Sequence, residues 1–193
     1  MTLTRESLWT LEHYARVRKD FRAEVIAHKR LRSLALGEHV TLLFEDEMTI
    51  RYQIQEMLRI ERIFEEEGIR DELEAYTPLI PDGRNFKATM MIEFPDPVVR
   101  AAELRKLLGI EDRVWLQVEG REKVWAIADE DLERETESKT SAVHFLRFEL
   151  DTDMAEALKY GVALSAGISH PEYMVKVDPV GAEFRNALVK DLK

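Results

Sequence analysis

The sequence predicts a single α+β domain over residues 1–193, with a mainly antiparallel sheet built from hairpins and covered by helices. Three observations carry this. Paired apolar runs flank short turns within Leu34–Glu45, Arg113–Ala128 and Val162–Val177, a pattern of hairpins rather than strand–helix–strand units. Amphipathic stretches of helical period lie between the hairpins. At 193 residues, 45% hydrophobic and 34% charged, the chain is long enough for a sizeable core and has a globular balance. No repeat, low-complexity tract or flexible linker divides it.

Thr4 and Ser7 suit the N-terminus of a first helix over roughly 5–17, with Leu8, Leu11 and Ala15 on one face. Asp20 suits the cap of a second helix to about Leu31, where Phe21, Val25 and His28 share a face and Glu24 lies one turn before His28. Leu34–Leu36, Gly37-Glu38 and His39–Glu45 read as a hairpin, its second strand a bulky apolar run covered on both faces. The stretch Gly37–Ile63 organises the chain: that strand, an acidic turn at Asp46-Glu47, then the longest helix, predicted over Met48–Glu66 and stopped by Gly68. Steps of about 100° per residue put Ile50, Ile54, Met57 and Phe64 on one face with Glu61 in its middle, and Arg51, Gln55, Arg59 and Arg62 opposite.

A short helix is expected over Asp71–Tyr76, and a loop over Thr77–Asn85 from its two prolines and Asp82-Gly83. Phe86–Phe94 alternates as a strand, and Asp96-Pro97 starts a helix that Gly109 ends. Arg113–Val118 and Lys123–Ala128 form a hairpin with Trp115 and Trp125 as a cross-strand pair. Asp129–Ser138 reads as a solvated acidic helix and Ser141–Leu150 as a long strand. Thr152 caps a helix ending near Gly161. Val162–Ile168 and Tyr173–Val177 make the last hairpin around Ser169-His170-Pro171, and a terminal helix begins at Asp178 or Pro179 and reaches about Leu192.

Composition excludes several function classes. There is no cysteine, so disulfides, thiolate metal sites and cysteine nucleophiles are ruled out, which fits a reducing compartment. No apolar run approaches a membrane span and the N-terminal stretch has no signal-peptide core, so a cytoplasmic protein is expected. The net charge of -10 is uneven. Residues 1–37 hold eight Lys/Arg against four Asp/Glu, leaving 20 against 34 for the remainder. The acidic body argues against nucleic-acid binding. The basic N-terminal part could meet an acidic partner, a phosphate, or the acidic body of a second copy in a homodimer.

His and carboxylates are the main metal ligands available. Glu24 and His28, four apart on one helix, can point at one ion, and Glu61 or His144 could complete the set; such donors suit Fe, Mn or Zn. The plainer alternatives are an exposed Glu24, a core-edge His28, a structural ion pair at Glu61, an interior His144 and a turn residue at His170. Neither Glu-x-x-His nor His-Glu-x-x-His occurs. Arg51 and Arg84 are candidate anion-binding residues, Arg84 from the Asp82–Asn85 turn, though that turn is also a plain turn signal. There is no glycine-rich phosphate loop and no Gly-x-Ser-x-Gly elbow, and a calcium loop beginning at Asp129 fails at Arg134, where glycine is needed.

Through the strings GEHVTLLFEDEMTIRYQIQEMLRIERIFEEEGI, YTPLIPDGRNFKATMMIEFPDP, GIEDRVWLQVEG and KTSAVHFLRFEL the chain resembles a family of bacterial proteins with no assigned function, over nearly all of residues 3–180. The resemblance implies a cytoplasmic protein whose gene often neighbours those of a rubrerythrin-type protein and an iron–sulfur oxidoreductase. It offers no catalytic residue to carry over. Two functions are expected on these grounds. One is an accessory or binding protein of a redox or oxidative-stress system, docking through the mixed-charge surface of residues 16–32 and Arg18, Arg22 and Arg30. The other is a small metal- or ligand-binding enzyme using Glu24, His28 and Glu61 with Arg51 nearby. A purely structural dimer subunit fits the composition equally.

Overall fold

The computed structural model describes residues 3–130 and 139–193. It is an α+β fold of two antiparallel sheets with helices around them. The first sheet has strand order β1-β2-β3-β7-β6, from β1 (Ser33–Leu36), β2 (Val40–Phe44), β3 (Asn85–Ile92), β7 (Val143–Glu149) and β6 (Ile127–Ala128). The second has order β5-β4-β8-β9, from β5 (Lys123–Trp125), β4 (Val114–Val118), β8 (Leu164–His170) and β9 (Tyr173–Val177). All the expected hairpins form, and Trp115 pairs directly with Trp125.

The sheets share one hydrophobic cluster. Leu42, Phe44, Phe86, Met90 and Phe148 from the first meet Leu116, Ala166 and Ile168 from the second. The alternation along Phe86, Ala88, Met90 and Ile92 puts each of these side chains inside, as a period of two requires. Helices α5 (Thr152–Lys159) and α6 (Ala182–Val189) cap this core with Leu158 and Leu188. Residues 123–128 change sheets: Trp125 pairs with β4, Ala126 donates its N–H to the Val114 carbonyl at 2.9 Å, and Ile127 pairs with Arg147 of β7. Elsewhere the Tyr173 hydroxyl bridges the sheets, donating to Leu36 O at 2.7 Å and accepting the His39 N–H at 3.2 Å.

The helices depart from expectation in three places. Residues 5–31 do not form two helices: Arg5–Ser7 is a single 3-10 turn and α1 (Leu11–Arg30) runs unbroken from the Thr10 cap. Val17-Arg18-Lys19-Asp20 contains no glycine or proline, so nothing interrupts it. The long helix α2 (Glu47–Glu61), capped by Asp46, stops early because Arg62 takes the left-handed conformation (φ 56°). Gly68 lies inside the next helix, α3 (Glu66–Tyr76), not at the end of α2. A last helix, α4 (Pro97–Lys106), begins at the Asp96 cap. The acidic helix expected over 129–138 falls largely on 131–138, outside the described residues.

Helices α1 to α3 form a layer with their own apolar clusters, Ile50, Ile54, Leu58 and Ile69 in one and Tyr14, Phe21 and Val25 in the other. Arg32, 1% exposed, ties the end of α1 to the sheet and to the C-terminal turn: its guanidinium donates to Phe44 O, Glu45 O and Ala187 O and pairs with Asp191. Among the described residues no helix is long and apolar enough to cross a membrane.

Candidate ligand cleft and buried histidine

A cleft of about 670 Å³ opens between α1, the start of α2 and the chain's last residues. Trp9, Phe21 and Glu24 line one side, Asp46 and Arg51 another, and Lys190, Asp191 and Lys193 close the third. Its third wall is held by the backbone: the Lys193 N–H donates to Gly83 O at 2.9 Å. Gly83 has φ +105°, and a Cβ there would stand 2.6 Å from the Lys193 side chain.

Arg51 is the unusual group. Its guanidinium carbon lies 4.0 Å from the centre of the Trp9 ring and 5.8 Å from that of Phe21. Its buried Nε has no hydrogen-bond partner among the described residues. Burial pushes the guanidinium below arginine's usual range, opposed by the nearby Glu47 charge. Trp9 is fixed as a platform by Gln55, whose Oε1 accepts the Trp9 N–H at 2.7 Å. By contrast Arg18 forks onto Glu56 at 2.7 and 2.8 Å, and Arg147 forks onto Glu130 at 2.8 Å from both nitrogens.

Two of the cleft's acids already have partners. His28 Nε2 lies 2.5 Å from Asp46 Oδ2, with Arg32 Nε 3.5 Å from the same oxygen. Asp191 pairs with Arg32, although burial drives its carboxyl above the usual range. The lining also carries Glu24, Glu47, Arg51, Lys190 and Lys193.

The four expected metal ligands are not brought together. Glu24 is exposed on α1, and His28 is engaged with Asp46. Glu61 is exposed on the last residue of α2, not central to a buried face, because the helix ends there. His144 is fully buried on β7, its Nδ1 2.6 Å from Asp129 Oδ2. Among the described residues, Glu111, Asp129 and His144 form the group of potential ligands whose atoms lie within 4.8 Å of one another. Asp129 is thus no solvated-face residue. Arg84 lies apart from Arg51, in a second groove with Lys87 and Arg147, and its backbone N–H donates to Asp82 in the expected turn. Trp9, Gln55 and Glu111 had no sequence signal as site residues, since each acts through a partner distant in the chain, and Asp129 was weighed only as the start of a calcium loop.

A family model described as "Protein of unknown function (DUF3501)" matches residues 2–192. No curated protein matches the chain. Among solved structures, one described as a novel protein of unknown function from Burkholderia pseudomallei is 56% identical, covers 100% of both chains and superposes with a TM-score of 0.96.

Proposed function

The chain belongs to the DUF3501 family of proteins of unknown function, and from that premise we propose that it is a binding protein for a small anionic ligand, a carboxylate or phosphate held by Arg51 in the α1–α2 cleft. The observation that carries this is a stacked, partly desolvated arginine whose buried Nε has no hydrogen-bond partner among the described residues. Leaving a charged donor unpaired costs about 1–3 kcal/mol, and an anion in the cleft would recover that cost. Lys190 and Lys193 add cationic character to the third wall, and Trp9 and Phe21 supply a flat apolar surface beside the anion site.

The test is a thermal-shift and calorimetric series with inorganic phosphate, citrate and benzoate. At least one should bind and raise Tm; a ligand at about 100 times its Kd adds roughly 2.7 kcal/mol. Arg51→Met should abolish that shift without unfolding the protein. A shift unchanged in Arg51→Met, or no response to any of the three at millimolar concentration, would remove this reading.

The redox association implied by the family resemblance supports a second, coarser reading, an accessory protein in a cytoplasmic redox system that docks rubrerythrin-type or iron–sulfur proteins. The absence of cysteine fits that compartment. Arg22 and Arg30 are exposed on α1 and are the charges available for such docking, because Arg18 is engaged with Glu56. Loss of co-purification in Arg22→Glu/Arg30→Glu would support docking, and an unchanged pull-down would end it.

A further inference from the structure

We infer that the ligand of the Arg51 cleft is a zwitterion, an α-amino acid or close analogue whose carboxylate meets Arg51 and whose ammonium meets Glu24; the inference rests on the anion reading above. It starts from two opposite charges that share a cleft and do not pair. Arg51 and Glu24 both line the cavity of about 670 Å³. Glu24 stands three residues after Phe21 on α1, one turn along the same face, which sets their Cβ atoms about 5–6 Å apart. The centre of the Phe21 ring is itself 5.8 Å from the Arg51 guanidinium carbon. Arg51 is drawn the other way, onto Trp9 at 4.0 Å, and no hydrogen bond or ion pair joins it to Glu24 among the described residues.

The other carboxylates of the cleft are engaged. Asp46 Oδ2 faces His28 Nε2 at 2.5 Å and Arg32 Nε at 3.5 Å, while its Oδ1 accepts the Thr49 N–H at 3.0 Å. Asp191 pairs with Arg32. Glu47 acts on Arg51 itself and has contacts of its own. The Glu24 carboxylate makes no hydrogen bond or ion pair among the described residues, so it is the acid left to meet an ammonium group. An α-amino acid carries its amine on the carbon next to its carboxylate, which matches a cation and an anion held apart on neighbouring walls. Glu24 also repels a second negative charge on the ligand, which favours a monoanionic carboxylate beside an ammonium over a phosphate dianion. Trp9 and Phe21 supply the apolar wall for the side chain. Because Glu24 is exposed, its contribution is that of a solvated ion pair, about fivefold in affinity.

The experiment titrates the full-length protein at neutral pH by calorimetry with matched pairs: phenylalanine against hydrocinnamate, leucine against isocaproate, and glutamate against glutarate. In at least one pair the amino acid should bind about fivefold tighter than its amine-free counterpart, and that margin should shrink in high salt. Glu24→Gln should erase the margin and keep the affinity for the amine-free acid. Arg51→Met should lose both members of the pair. If the amine-free acids bind as tightly as every amino acid, or if the margin survives Glu24→Gln, the zwitterion is overturned while the Arg51 anion site stands. If no member of any pair binds, both fall.

Discussion

The amide of Gln55 is locked onto the backbone of Trp9: its oxygen accepts the Trp9 N–H at 2.7 Å and its nitrogen lies 3.4 Å from the Trp9 carbonyl. Gln55 is fully buried. Gln55→Leu therefore leaves two backbone groups without partners. A loss of about 1–3 kcal/mol is expected, measured as a lower urea midpoint. The same variant should bind the cleft's anion more weakly, because the ring beneath Arg51 is no longer fixed.

Two arginines should respond oppositely to the same change. Arg51→Met removes a guanidinium with an unmet donor and one ring stack, so stability should stay within about 1 kcal/mol of wild type. Arg32→Met strips the partner from Asp191 and leaves a buried carboxylate uncompensated, for a loss of about 3–5 kcal/mol. Denaturant titrations of the two variants side by side check the contrast.

Acid should weaken the contact between α1 and α2. Glu56 accepts both prongs of Arg18, the Tyr14 hydroxyl at 2.6 Å and Arg59, and the Arg18 bonds above all hold its carboxyl down at about 2, against burial, which opposes them. A carboxylate depressed in the folded state contributes its stability fully above its unfolded value, about 4.3, and loses it as pH falls toward 2. Unfolding midpoints should therefore drop between pH 5 and pH 2, and Glu56→Gln should flatten that limb while lowering stability at neutral pH.

Gly167 faces Trp115 with no room between them: an added Cβ would lie 2.4 Å from the indole and 2.5 Å from Val175 O. Trp115 is pinned on its other side, its Nε1–H donating to Ser169 at 2.9 Å while Lys123 sits 3.9 Å over the ring. Gly167→Ala should cost about 1–3 kcal/mol by overpacking. The displaced indole should also change the tryptophan emission maximum.

Glu61→Gln is expected to be silent. The carboxylate is exposed at the end of α2, so stability should stay within about 0.5 kcal/mol of wild type. A thermal melt is sufficient to check it.

That silence marks where sequence reasoning reaches its limit. A strand carries its face in its own alternation, so Phe86 to Ile92 and the Trp115–Trp125 pair were legible residue by residue. A helix face is legible only if the helix has the assumed length and partners. Glu61 looked buried because the helix was extended past Arg62, where the backbone turns left-handed. Gln55 falls opposite the apolar face of α2 and is still buried, because periodicity says nothing about a second covering surface, and the Trp9 segment supplies one. In the same way His144 and Arg51 could be singled out as residue types. Asp129, Glu111 and Trp9 come from different turns of the chain, and only the fold sets them beside those two.

The strand that passes from one sheet to the other at Ala126 has a mechanical consequence. Residues 123–128 are hydrogen-bonded to β4 on one side of the switch and to β7 on the other, so neither sheet can fray at that corner without shearing backbone the other depends on. Opening should then be concerted. The slowest-exchanging amides of β4 and β7 should share one protection factor and move together under denaturant, as a single foldon rather than two.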